Sequence, residues 1–195
     1  MNVRLRYEID MLAGVYYAKH IHINSYSIRM DLITQTRDPV STNIAMDRCK
    51  VFINEVLAHT IFVHQDETAA IAKMDEIGTN VTTLPEEPID QIIGMMLYYK
   101  LNAIMEGRML ITNLEISSIL GDSVWYPHDA EDQAGPFAPA GWWQQSTTVH
   151  RSSELGDRVV KVGNGTWSDM HLGWPESQSE KSNNAVIYTF PKNEN

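Results

Sequence analysis

The stretch Pro88–Glu106 constrains this fold more than any other part of the chain. A proline in the first helical turn, Asp90 near the positive end and Gly107 just past the last turn all mark one helix. Its apolar residues, among them Ile89, Ile93, Met96, Leu97, Leu101 and Ile104, are spread around most of the circumference. Such a helix needs cover on most sides, as the spine of a core or inside a subunit interface. A second subunit is a common source of that cover, so a homo-oligomer is expected. Met95, Met96, Met105 and Met109 recur at helical spacing and read as core packing.

The residues before this helix predict a sheet and further helices. Val3, Leu5, Tyr7 and Ile9 alternate with Arg4, Arg6 and Glu8, the period of a half-buried strand with its charges on one face. Gly14 reads as a break, followed by a second strand or bent pair over 15–34 and a stop at Asp38-Pro39. From Thr42 the apolar spacing becomes helical, with Ser41 or Thr42 as cap and an end near His59. A short strand at Thr60–His64 and a short helix from Asp66, closed by Gly78, come next. After the central helix, Leu110–Leu120 reads as a strand or a short helix, with strand favoured for its first half. Strands open the chain and helices dominate its middle without strict alternation, so the fold class is α+β: a small sheet packed on a few helices.

The texture changes near 120–122. All five tryptophans lie beyond Gly121, among many Gly, Pro, Ser and Asn residues. The expected organisation is therefore an α+β core over 1–120 and a loop-rich, Trp-rich β appendage over 121–195 packed on it. A hairpin is expected over 158–167 around Gly163-Asn164-Gly165, a last strand over 185–190, and a polar run between them.

Charge narrows the range of functions. The 195 residues carry 15 Lys/Arg against 25 Asp/Glu, a formal net charge of -10, and none of the stretches 1–40, 41–120 and 121–195 forms a basic stripe. That argues against general nucleic-acid binding, which needs clustered cations on phosphates. No apolar run is long enough for a membrane span, and residues 1–10 lack the apolar core of a signal peptide. No membrane association and a cytoplasmic location are expected. A single cysteine, Cys49, excludes an internal disulfide and reads as a buried, inert thiol on a helix face.

Few residues suggest chemistry. His20 and His22 project from one face if their segment is extended, and two imidazoles can then converge on a metal, given acidic partners such as Glu8 or Asp31. This would suit a metal-dependent hydrolase; the plainer reading is a solvent-facing pair. The cluster His128, Asp129, Glu131, Asp132 lacks calcium-loop spacing and reads as a solvated loop. Glu86, Glu87 and Asp90 suit the positive end of a helix. Trp142, Trp143 and Trp167 are either platforms for a sugar or protein partner, or the substitute core of a loop-rich segment. No nucleophile elbow or nucleotide fingerprint is present, and no cofactor is expected.

The segments Leu84-Pro-Glu-Glu-Pro-Ile-Asp-Gln-Ile-Ile-Gly94, Lys100-Leu-Asn-Ala-Ile-Met-Glu-Gly-Arg108 and Ile116-Ser-Ser-Ile-Leu-Gly-Asp122 resemble stretches of uncharacterised small proteins of tailed marine bacteriophages. The resemblance spans about the middle third of the chain and implies a phage accessory protein or virion component, in host cytoplasm or virion. It assigns no catalytic or binding residue. The function expected from these features together is a non-enzymatic protein-interaction or assembly module that binds itself or another protein. A His-x-His hydrolase and carbohydrate binding through the tryptophans are the alternatives.

Overall fold

A computed structural model of the chain describes residues 3–147 and 166–175. Strand β1 (Arg4–Tyr17) folds back on β2 (His20–Thr34) in unbroken antiparallel register, from Arg4 opposite Ile33 to Tyr17 opposite His20. Ala18 and Lys19 make the turn with φ of 48° and 65°, the positive pair a tight hairpin needs. Gly14 does not break β1, contrary to the sequence reading. A Cβ there would meet Ile61 Cγ1 at 3.0 Å, so the glycine lets the next strand approach.

Helix α1 (Pro39–Val51) is capped by Asp38, which accepts from the Val40 and Ser41 amides, and not by Ser41 or Thr42. A π-helical turn, Phe52–Leu57, extends it and turns Phe52, Ile53, Val56 and Leu57 into the core. Then β3 (Ile61–His64), α2 (Thr68–Glu76) and β4 (Val81–Leu84) form a parallel crossover unit. The long helix, α3, spans Asp90–Met105, and Gly107 past its end has φ of 72°. β5 (Met109–Ser118) pairs with β2 and β6 (Tyr126–Asp129) with β5, both antiparallel. The six-stranded mixed sheet has the order β4-β3-β1-β2-β5-β6. With its three helices it is an α+β fold.

One face of the sheet is dry. Met11, Ala13 and Val15 of β1, Ile28, Met30 and Leu32 of β2, and Ile111, Leu114 and Ile116 of β5 point into a core shared with α1 and α3. The opposite face is charged beside Arg6–Asp31 and Arg29–Glu8, carries exposed apolar residues at Leu12, Ile23 and Leu110, and is buried where Ile61, Val63 and Val81 meet α2. The cover that α3 needs comes from the same chain. Phe137, Trp142 and Trp143, carried on two single-turn helices, close the side of α3 away from the sheet. Burying rings this large contributes on the order of 2–3 kcal/mol each. β6 and these turns, all beyond Leu120, share one core with the residues before it. The hairpin expected over 158–167 and the strand over 185–190 lie outside the described residues, Thr166 and Trp167 apart.

Candidate functional site

The feature with the most chemistry is a cleft of about 440 Å³ where the β1–β2 hairpin, the start of α3 and the turn after β5 meet. It arises from a change of side-chain type along β2. The face that carries Ile28, Met30 and Leu32 continues into Tyr26 and Asn24, so polar groups sit in core register at the end of the sheet. Tyr26 is fully buried, its ring edge-on to Phe62, and its hydroxyl has no hydrogen-bond partner among the described residues. An unsatisfied buried hydroxyl costs about 1–3 kcal/mol, and native structures contain few of them. Burial, opposed by the Asn24 side chain and reinforced by Asp90, raises the Tyr26 pKa, so the phenol stays neutral and its oxygen can accept a hydrogen bond.

Asp90 is the second group in the floor. It opens α3 and is 9% exposed, and both its carboxylate oxygens accept from Ser118 Oγ, at 2.9 and 2.7 Å. Ser118 Oγ in turn accepts from the Gly121 amide. A Cβ on Gly121 would come within 2.2 Å of Asp90 Oδ2, so only glycine lets the turn close over the carboxylate. Burial raises the Asp90 pKa, and the Ser118 hydrogen bond works against that rise. Asn24 Oδ1 accepts from the Leu120 amide and ties this turn to β2. Tyr17 and Tyr126 supply aromatic walls, and Ile89 and Leu120, half-exposed, form an apolar rim. Among the described residues no lysine or arginine lines the cleft.

Two buried cations lie elsewhere and hold structure together. Lys100 of α3 is fully buried, and its ammonium donates to the carbonyls of Trp142, Gln145 and Thr147, at 3.2, 2.8 and 2.9 Å. Burial pulls its pKa down to about 7. Arg48 of α1 donates to the Ile104 and Leu172 carbonyls and to Glu106, and lies 3.7 Å over the Trp174 ring. These two side chains tie residues 142–147 and 172–174 to the helices.

The residues singled out in the sequence fall into place as follows. His20 and His22 pack edge to face, 6.3 Å between ring centroids, both exposed at the hairpin tip. Asp31 instead pairs with Arg6 and Glu8 with Arg29. Among the described residues no three His, Cys, Asp or Glu side chains are placed to hold a metal. Trp142, Trp143 and Trp167 are 1%, 7% and 7% exposed, and their ring N–H groups donate to the carbonyls of Thr83, Phe137 and Ser146. Packed this way their rings are part of the core. Asp129 and Asp132 cap their own turn by accepting from the Glu131 and Asp129 amides. Cys49 is buried, which pushes its thiol up to about 12. Asn24, Tyr26 and Lys100 escaped the sequence reading, and Asp90 entered it only as a helix-end charge. The available signal was a polar side chain in core register within an apolar pattern.

The fold and cleft define an α+β domain with a mixed six-stranded sheet and an open, polar-floored end. No protein-family model and no curated protein matches the sequence. Among solved structures the chain is similar to the crystal structure of an uncharacterised protein, WS1659 from Wolinella succinogenes, with a TM-score of 0.50 and 13% identity, over 67% of this chain and 99% of that one. That likeness concerns the fold alone. Among the described residues no helix is long and apolar enough to cross a membrane.

Proposed function

We propose that the chain is a non-enzymatic interaction module whose recognition surface is the cleft at the start of α3, and that it receives a cationic side chain, lysine or arginine, of a protein partner. The observation that supports this reading is the pairing of a partnerless buried hydroxyl, Tyr26, with a carboxylate, Asp90, that burial makes costly to ionise. A bound cation relieves that cost. Three tyrosines (Tyr17, Tyr26 and Tyr126) line the same space, and ring faces attract ammonium and guanidinium groups. The apolar rim suits the aliphatic stem of a long basic side chain. The net charge of -10 favours a basic partner at longer range. The resemblance of 84–122 to small phage proteins supports an accessory or structural setting for such a module.

Calorimetric titration with short peptides tests it. A peptide presenting Lys between two Leu residues should bind in about the millimolar range or tighter, and its Lys→Glu counterpart should not. Asp90→Asn should abolish the difference. Equal binding of both peptides, or binding indifferent to Asp90→Asn, contradicts the proposal.

A further inference from the structure

Strand β1 has a second feature, independent of the cleft. Odd-numbered residues of β1 bond towards β2, as Val3 does by accepting from the Thr34 amide. Even-numbered residues bond the other way: the Leu12 carbonyl accepts from the His59 amide, and the Gly14 amide donates to the Thr60 carbonyl. β3 pairs with β1 only at Gly14 and Val15. From Arg4 to Asp10 the outward backbone groups therefore form an open sheet edge, and no strand among the described residues pairs with it. An edge of this length is a template for another strand.

The sequence along that edge is complementary to itself in antiparallel orientation. Arg4-Leu-Arg-Tyr-Glu-Ile-Asp10 carries two cations before Tyr7 and two anions after it. Set two copies antiparallel about Tyr7, and Arg4 faces the partner's Asp10 while Arg6 faces the partner's Glu8, all on the charged face. Leu5, 38% exposed, then meets the partner's Ile9 on the apolar face. The even-numbered residues, whose backbone groups are open, become the hydrogen-bonded pairs, as antiparallel geometry requires. No neighbouring register does this. A two-residue slip puts Arg6 against the partner's Arg6, or Glu8 against the partner's Glu8, on the axis, and a one-residue slip turns every charge to the wrong face. Edges guarded against pairing tend to carry charges that repel a second copy, whereas here the sign reverses at the midpoint. The existing cross-strand pair Arg6–Asp31 extends the alternation across the junction, since the partner's Glu8 would stand on the other side of Arg6.

We infer that two copies of this chain join through their β1 edges around a two-fold axis at Tyr7, fusing two six-stranded sheets into one. The cleft stays open in this dimer, because the β1–β2 turn is at the opposite end of the strand.

Light scattering on the full chain should give twice the chain mass. Arg4→Asp and Asp10→Arg should each weaken the dimer on the order of tenfold, since symmetry repeats the lost pair, and the double variant should restore it. Under mild oxidation Tyr7→Cys should cross-link to itself, because Cα atoms about 4.5 Å apart across a non-hydrogen-bonded pair lie within disulfide reach. Leu5→Cys should cross-link only when mixed with Ile9→Cys. This second readout remains if Tyr7→Cys does not fold, and Cys49 is buried away from both. A monomer at all concentrations overturns the inference, even with protected Arg4 and Arg6 amides, since the chain itself would then cover the edge. So does a dimer indifferent to the charge exchange, or cross-links in any other register.

Discussion

Asp90, when ionised, costs the fold stability. Its pKa is raised in the fold, so the folded chain holds the proton more tightly than the unfolded chain, and stability falls as pH rises through the folded value. Asp90→Asn should therefore raise the melting temperature at neutral pH, with the gain vanishing below the ordinary carboxylate range. Calorimetry from pH 3 to 8, as about the useful span, reads it directly. Lys100 works in the opposite sense. Its pKa is lowered to about 7, so the unfolded chain binds more protons between there and the ordinary lysine range, and stability should rise with pH in that window. Comparing wild type with Lys100→Met isolates this slope, which the variant should lack. Removing Arg48 takes one donor from Glu106, which keeps Trp174 Nε1, leaves the Ile104 and Leu172 carbonyls without this donor, and removes one of the two cations over the Trp174 ring, Arg108 being the other. Arg48→Ala should cost about 2–3 kcal/mol in denaturant unfolding, with a red shift in tryptophan emission. None of these roles was legible in sequence. Spacing shows that Lys100 lies on an apolar helix, but not that three carbonyls from residues 142–147 converge on it.

At the level of elements, what could be read was what local chemistry decides. The Pro88–Glu106 pattern became α3 within two residues at its start and one at its end, because proline, an acidic first turn and a C-terminal glycine act within the segment itself. The β1–β2 turn was missed because Ala18-Lys19 lacks the usual Asn-Gly, and the long cross-strand register supplies what the turn residues do not. β4 and β6, four residues each, are strands only because a neighbour pairs with them. Gly94 in mid-helix carries the same lesson: a Cβ there would lie 2.4 Å from His128 Nε2 and 2.7 Å from Ile116 Cγ2. α3 can lie this close to β5 and β6 only with glycine at that position. Gly94→Ala should therefore destabilise by about 1–3 kcal/mol, although helix propensity alone would favour alanine by about 1 kcal/mol. Chemical denaturation of the single variant decides which effect wins.

For the molecule as a whole, the described residues cover the central helix themselves, and two of their outward features lie along β1: the cleft at one end and the open edge along the rest of it. The α+β class was legible because the opening strands and the central helix each show their own period within a single segment. The cleft was not, since it needs Asn24, Asp90 and Gly121, which only the fold brings together. Backbone amide shifts of the labelled full chain, titrated with N-acetyl-lysine methylamide, test the recognition surface most directly. Shifts confined to Asn24, Asp90, Gln91 and Gly121, and absent with N-acetyl-glutamate methylamide, are the predicted result. Shifts centred on Trp142, Trp143 and Trp167, or no shift at all, would contradict it.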